Sequence, residues 1–166
     1  MGKRILVATA AVLVAVSVGA TVARADDPVA TAQADLQKLV TDATSLHSTV
    51  LADAQKISSD VTSLQGTTSM QTVRQTLQAD EQKVQSDRAS LVPAVQSDWT
   101  QLRTDLQAVR TAKAGKGQLA PLLQQANQQL TQERQAVETA LLAARQAAVA
   151  LRQSVRSAGH SKTTSP

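Results

Sequence analysis

An eight-residue pattern, Asp-x-Gln-Lys-apolar-x-Ser/Thr-Asp, recurs along the first two thirds of this sequence, and we refer to it as the octad. Complete copies occupy residues 35–42, 53–60 and 80–87, and an eroded copy, Asp-Trp-Thr-Gln-Leu-Arg-Thr-Asp, occupies residues 98–105. Successive copies begin 18, 27 and 18 residues apart. Because 18 residues complete about five turns of an α-helix, the two copies in each closely spaced pair present the same helix face. The octads therefore predict long, regular helices.

Apolar residues continue the helical period in three seams, at spacings of three and four residues. The seams predict helices over about residues 28–64, 69–114 and 119–157, followed by a disordered tail at 160–166. The loops between these helices are short, so neighbouring helices must run antiparallel. We therefore expect residues 26–159 to form an all-α, elongated, antiparallel three-helix bundle with coiled-coil-like seams.

Proline and glycine residues set the predicted helix boundaries. Asp27 and Pro28 suit a helix N-cap and first turn, and Gly159 suits the end of the third helix. Pro93 interrupts the second seam, where it removes one backbone hydrogen bond and crowds the carbonyl four residues earlier. The apolar residues keep their phase on both sides of Pro93, so we expect a kinked middle helix. A break at the same place, which would give a four-helix bundle, is the alternative.

The N-terminal 25 residues have the composition of a secretory signal peptide. A short basic start precedes an apolar run over residues 5–22, which is followed by the small-x-small cleavage pattern Ala23-Arg24-Ala25. We therefore predict a cleaved signal at residues 1–25 and a secreted, periplasmic or cell-envelope location. A run of this length could instead stay as a membrane anchor. Cleavage would leave 14 basic and 13 acidic residues, so the net charge of +4 is not a nucleic-acid signature.

The first two predicted helices resemble each other in sequence. Residues 35–64 align with residues 80–109 at a constant offset of 45, with nine identical positions that include the aspartates beginning and ending each octad. Four further positions are apolar in both segments. We interpret the match as an internal repeat, although two long helices of similar composition can also match through low complexity.

The octads place charged residues beside the apolar seams. On each helix the aspartates lie within about 20° of one another, and each lysine stands three residues after one aspartate and four before the next. We interpret this arrangement as a solvated flank of Asp-Lys-Asp triads. Successive aspartates on one helix stand roughly 10 to 16 Å apart, too far for one Ca²⁺ ion to bridge. We therefore predict no metal site and no cofactor.

The predicted third helix carries the opposite charge. Its arginines at positions 134, 145, 152 and 156 fall within about 40° of one line beside the seam, and we call this set the arginine stripe: Arg134, Arg145, Arg152 and Arg156. They could pair with the aspartate flanks of the other helices, as flanking charges do in coiled coils. They could instead contact an anionic partner such as lipid headgroups, a wall polymer or an acidic protein. The arginine stripe is therefore the candidate partner-binding site.

Residue types that support catalysis are scarce. The sequence has no Cys, no Tyr and no Gly-rich phosphate loop, so neither an activated nucleophile nor a nucleotide cradle can be assigned. We expect His47 at the edge of the first seam, and Trp99, the sole aromatic residue, as a packing anchor near the kink. With one aromatic residue the chain also lacks the stacking platforms of single-stranded nucleic-acid binders, so we predict no nucleic-acid partner and no catalytic residue.

Two functions are consistent with these features. The first is an exported, non-enzymatic helical bundle that acts through protein–protein contacts as a spacer, an adaptor or a holdase-like binder. Self-association is also expected, because Ala-rich seams bury little area per residue. The second is a peripheral binder of membranes or envelope polymers that uses the arginine stripe as an amphipathic surface helix does.

Overall fold

The computed structural model describes residues 27–113 and 115–161, and within these ranges it contains three α-helices. Helix α1 spans Pro28–Ser63, α2 spans Met70–Thr111 and α3 spans Lys116–Ser161. The helices pack against one another, and the described chain contains no strand. The predicted all-α three-helix bundle is therefore confirmed.

Helix α1 is the central element of the bundle, because it packs along both α2 and α3, which touch each other only sparsely. Ion pairs join Lys38 to Asp98 and Lys56 to Asp80, so α1 and α2 run antiparallel. The N-terminal residue Val29 packs in one cluster with Leu119, and Ile57 packs in another with α3 residues 144–155. Helices α1 and α3 therefore run parallel to each other.

The core consists of three apolar clusters spaced along the bundle. The largest lies near the α1–α2 turn and contains Ile57, Val61, Val73, Leu77, Ala144, Ala148, Leu151 and Val155. The middle cluster contains Leu36, Leu39, Leu102 and Ala126. The cluster at the opposite end contains Val29, Ala32, Val109 and Leu119. Between the outer clusters, residues 81–97 of α2 include no fully buried side chain, so this part of α2 packs loosely.

Pro93 lies inside α2, which continues without a break on both sides of it. Its ring leaves the carbonyl of Ala89 without the usual hydrogen bond, but both residues are exposed, so water can satisfy that carbonyl. The four-helix alternative is therefore wrong for this chain. A bend of the helix axis at Pro93 stays a prediction.

The observed helix ends follow local capping. The carboxylate of Asp27 accepts a hydrogen bond from the Val29 amide at 2.9 Å, as expected of an N-cap. Helix α3 begins at Lys116, three residues before the predicted start, because Gly115 has a positive φ and forms the preceding turn. Gly159, expected to end α3, lies within the helix, which continues to Ser161. One glycine costs a helix only about 1 kcal/mol, which is not enough to stop it.

Both ends of the sequence extend past the described part of the chain. The predicted signal peptide at 1–25 lies outside the described residues, and so do residues 162–166 of the predicted tail. Within α1, α2 and α3, no segment is both long enough and apolar enough to cross a bilayer.

Candidate functional site

The octads of α1 and α2 face each other across the helical hairpin. Three lysines each reach an aspartate of the opposite helix: Lys38 bonds Asp98 at 2.5 Å, Lys56 bonds Asp80 at 3.0 Å and Lys83 bonds Asp53 at 3.5 Å. Each lysine also bonds the aspartate four residues later on its own helix, namely Asp42, Asp60 or Asp87. We call each lysine with its two aspartates a rung, and the set of rungs the Asp-Lys ladder.

The cross-helix aspartates are buried, so the expectation of a solvated flank is wrong for them. Asp53, Asp80 and Asp98 each have one carboxylate oxygen that makes no hydrogen bond with any described residue. The octad aspartates lie about 70° from the seam centre, and the neighbouring antiparallel helix covers that flank. Burial raises the pKa of Asp53, and its lysine at 3.5 Å only partly opposes this effect.

The eroded octad lacks its lysine, and this leaves one rung incomplete. Gln101 stands at that position and donates to Asp105 at 3.3 Å. In the alignment of α1 with α2 at an offset of 45 residues, Gln101 is equivalent to Lys56. Asp35 is equivalent to Asp80, which is the cross-helix partner of Lys56. Asp35 accordingly meets Asp105, and the hydrogen bond between these carboxyl groups raises the pKa of Asp35. Two carboxyl groups thus meet where the other rungs hold a lysine.

Arginines are distributed differently from the ladder lysines. Helix α1 contains no arginine, whereas α2 contains four and α3 contains the arginine stripe. The α2 arginines are exposed and fall within about 60° of one helix face: Arg74, Arg88, Arg103 and Arg110. We call these four residues and the arginine stripe together the arginine face. The α2 members were missed in the sequence, although their common helix face is readable from their spacings of 14, 15 and 7 residues.

Three positions explain why α3 packs on α1 rather than on α2. In the alignment of the two helices at an offset of 45 residues, three buried positions of α1 correspond to exposed positions of α2. The buried residues of α1 are Leu36, Ala43 and Ala54, and their counterparts on α2 are Glu81, Arg88 and Trp99. Small or apolar side chains allow close helix packing, whereas charged or bulky ones hold a helix away. Helix α3 therefore lies against α1 and leaves space beside α2.

That space is a groove of about 550 Å³ between α2 and α3. Its apolar lining comes from all three helices: Ile57, Leu77, Val84, Leu141, Ala148 and Val149. The charged residues that line it are Glu81 and three arginines, Arg88, Arg145 and Arg152. Arg152 bonds Glu81 at 3.5 Å, whereas Arg88 and Arg145 form no hydrogen bond or ion pair with any residue that the structure describes. The groove therefore combines an apolar lining with a positively charged rim.

The structure brings half of the arginine stripe to this groove. Arg145 and Arg152 line it, and Arg134 bonds Glu138 of its own helix at 2.7 Å. Arg156 lies one turn beyond Arg152 on the same face of α3. The ladder aspartates bond lysines of α1 and α2, whereas Arg134 and Arg152 bond glutamates, so the expected pairing with aspartates is wrong for these two arginines.

Trp99 and His47 occupy very different environments. The Trp99 side chain is 53% exposed, so its expected role as a packing anchor is wrong. It stands on the same face of α2 as Arg88, about three turns further along. His47 lies at the α1–α3 boundary, where its Nδ1 lies 3.0 Å from the Glu133 carboxylate, which also accepts a hydrogen bond from Thr44. This polar cluster helps to fix α3 against α1.

Across residues 27–113 and 115–161, no group of three or more His, Cys, Asp or Glu side chains is placed to hold a metal ion. We found no significant match to a protein-family model, to a curated protein or to a solved structure.

Proposed function

We propose that this protein is a non-enzymatic helical bundle that acts through protein–protein contacts, with the groove as its contact surface. The observation that carries this proposal is the apolar lining that stays open beside α2, rimmed by Arg88, Arg145 and Arg152. In this function the α1–α2 hairpin is the rigid scaffold and the α2–α3 side is the working surface, as in a spacer, an adaptor or a holdase-like binder.

The composition of the α2–α3 side supports this proposal. Protein interfaces are enriched in arginine and depleted of lysine, and three octad lysines are held in the Asp-Lys ladder, away from this side. Two large apolar residues of α3, Leu142 and Val149, are 57% and 49% exposed. Exposed apolar residues beside an apolar groove are typical of a surface that a partner covers.

We also propose that the protein works outside the cytoplasm and that α1 and α2 arose by duplication. The signal-like sequence at 1–25 supports export. Lys38 of α1 pairs with Asp98 of α2, and the equivalent residues 45 positions away, Lys83 of α2 and Asp53 of α1, also pair. The same ion pair thus occurs twice with the helices interchanged, which supports duplication.

Photo-crosslinking tests the groove as a contact surface. With p-benzoylphenylalanine at Val149, which lines the groove, we expect discrete protein adducts in the native cell envelope. The control places the same group at Gln55, an exposed α1 residue roughly 160° around its helix from the groove residue Ile57. The proposal is wrong if the two positions give the same adducts or if Val149 gives none.

Peripheral binding to a membrane or an anionic envelope polymer is the second candidate. It is supported by the exposed Leu142 and Val149, which share one face of α3 with Arg145 and Arg152. Flotation with vesicles containing 30% anionic lipid tests it, and at low salt we expect retention in the top fraction. The second candidate is wrong if the protein stays with the soluble fraction at low salt.

A further inference from the structure

We infer that the groove accepts one acidic amphipathic helix from a partner protein, which lies between α2 and α3 as a fourth helix. This inference rests on the proposed function and names the class of partner. It requires an apolar stripe on the partner helix and acidic residues on both sides of that stripe.

The shape of the groove favours a helix. The groove runs between two long helices, and its apolar lining reaches inward to Ile57 of α1. A helix that carries apolar residues at every third or fourth position can insert them into such a recess. A flat bilayer surface, in contrast, contacts the residues that protrude most and leaves a recess unfilled.

The charges of the rim define the flanks of the partner helix. Arg88 stands on the α2 side, and Arg145 and Arg152 stand on the α3 side, seven residues apart. Seven residues correspond to two helical turns, or about 10.5 Å along the axis. A helix with Asp or Glu at the two positions that flank its apolar seam would repeat its charges at this same interval.

The arginine face also suggests how far the contact extends. Arg152 of α3 bonds Glu81 of α2, so these two residues lie at the same level of the bundle. Because α2 and α3 run antiparallel, Trp99, 18 residues after Glu81, lies level with Arg134, 18 residues before Arg152. Trp99 lies on the same face of α2 as Glu81, and Arg134 lies on the same face of α3 as Arg152, because 18 residues complete about five turns. The surface from the groove to Trp99 is therefore about 27 Å long, which matches a helix of about 18 residues.

A designed peptide provides the direct test. The probe is a Trp-free, 21-residue helical peptide with Leu at the two seam positions of each heptad and Glu at both flanking positions. The matched peptide has Lys at the flanking positions and is otherwise identical. Because Trp99 is the sole aromatic residue of the chain, its emission reports the contact without a label. We expect a blue shift with the Glu peptide, and at least tenfold weaker binding of the Lys peptide.

Two double variants separate groove binding from general attraction to positive charge. R145Q/R152Q removes two rim charges, and we expect it to weaken the Glu peptide at least tenfold. R110Q/K113Q removes two exposed charges, one in the last turn of α2 and one in the turn that follows it, and we expect less than a twofold change. Circular dichroism and thermal unfolding establish that each variant is folded.

Either of two results would overturn the inference: no preference for the Glu peptide, or equal weakening by both double variants. The second result would indicate unspecific attraction to the arginine face, of the kind that anionic vesicles or polymers also produce. Envelope crosslinks from Val149 without peptide binding would leave the proposed function standing and reject only the acidic helix. Absence of both would reject the two together.

Discussion

Completing the fourth rung of the Asp-Lys ladder should stabilise the bundle. In Gln101→Lys, the new ammonium group stands four residues before Asp105 and across from Asp35, as Lys56 stands relative to its two aspartates. The substitution adds a cation where two carboxyl groups meet, and the raised pKa of Asp35 indicates that their contact disfavours ionisation.

The size of the effect follows from the complete rungs. The lysines in these rungs are more than half exposed, so solvent screens them strongly. A pair four residues apart on one helix contributes about 0.4 kcal/mol, and an exposed cross-helix pair contributes about 0.5 kcal/mol. We therefore expect Q101K to raise the free energy of unfolding by about 1 kcal/mol, or the Tm by about 3 °C for a domain of this size.

Thermal and urea unfolding, followed by circular dichroism at 222 nm, measure this gain at pH 7. Gln82→Lys is the matched control, because it makes the same change at an exposed position of the same helix with no acidic residue three or four positions away. The gain of Q101K should also shrink as the pH falls, because protonation of Asp35, whose pKa is raised, removes the charge that the new lysine would pair with. If Q101K is no more stable than Q82K at pH 7, the incomplete rung is not a source of repulsion and the ladder has been misread.

Three further predictions concern the ladder and the turn before α3. Asp35 has a raised pKa because of its hydrogen bond to a second carboxyl group, and Asp42 has a lowered pKa because Lys38 bonds it. D35N should therefore raise stability at pH 7 and D42N should lower it. The D35N difference should vanish below the ordinary aspartate pKa of 3.8, and the D42N difference should vanish only at a lower pH, below the lowered pKa of Asp42. Lys56→Met should destabilise by roughly 2 kcal/mol, because it leaves a buried carboxylate unpaired, and replacing that aspartate with Leu as well should restore most of the loss. Gly115→Ala should cost roughly 2 to 3 kcal/mol, because its φ is positive and the added methyl group would overlap an α1 side chain.

Denaturation curves check all three. Asparagine variants that shift stability in the same direction at pH 7 would contradict the assigned pKa causes. A Met variant of Lys56 with wild-type stability would show that water, rather than the lysine, satisfies the buried carboxylate. Gly66→Ala is the control for the turn, because Gly66 also has a positive φ but has no atom near the position of an added methyl group. The reasoning requires G115A to be the more destabilising of the two.

The bundle separates its two kinds of cation, and this separation relates the fold to the proposed function. Lysines of the octads lie between α1 and α2, where each bonds two carboxylates and fixes the register of the hairpin. Arginines lie on α2 and α3, and those at the groove contact a single glutamate among the described residues. Each ladder lysine is therefore paired with two aspartates, whereas two groove arginines, Arg88 and Arg145, form no ion pair with any residue that the structure describes.

Much of the fold was readable from the sequence, because its cause is local. Apolar spacing defined the three helices, and Asp27 with Pro28 defined the start of α1. Short loops defined the antiparallel order of consecutive helices. The arginine stripe was also readable, since residues 18 apart share a helix face whatever surrounds them.

Only the tertiary structure decided which flank of each helix is covered. The octad aspartates and Trp99 lie near seams, and their exposure depends on where the neighbouring helix axis passes. The groove depends on a comparison of two surfaces, because α3 packs along α1, which has Leu36 and Ala43, and not along α2, which has Glu81 and Arg88 at the equivalent positions. Helical periodicity fixes the direction of a side chain on its own helix, but burial is a property of pairs of helices. For that reason the octad was correctly predicted as a helical pattern, and its role as the joint between α1 and α2 emerged only from their packing.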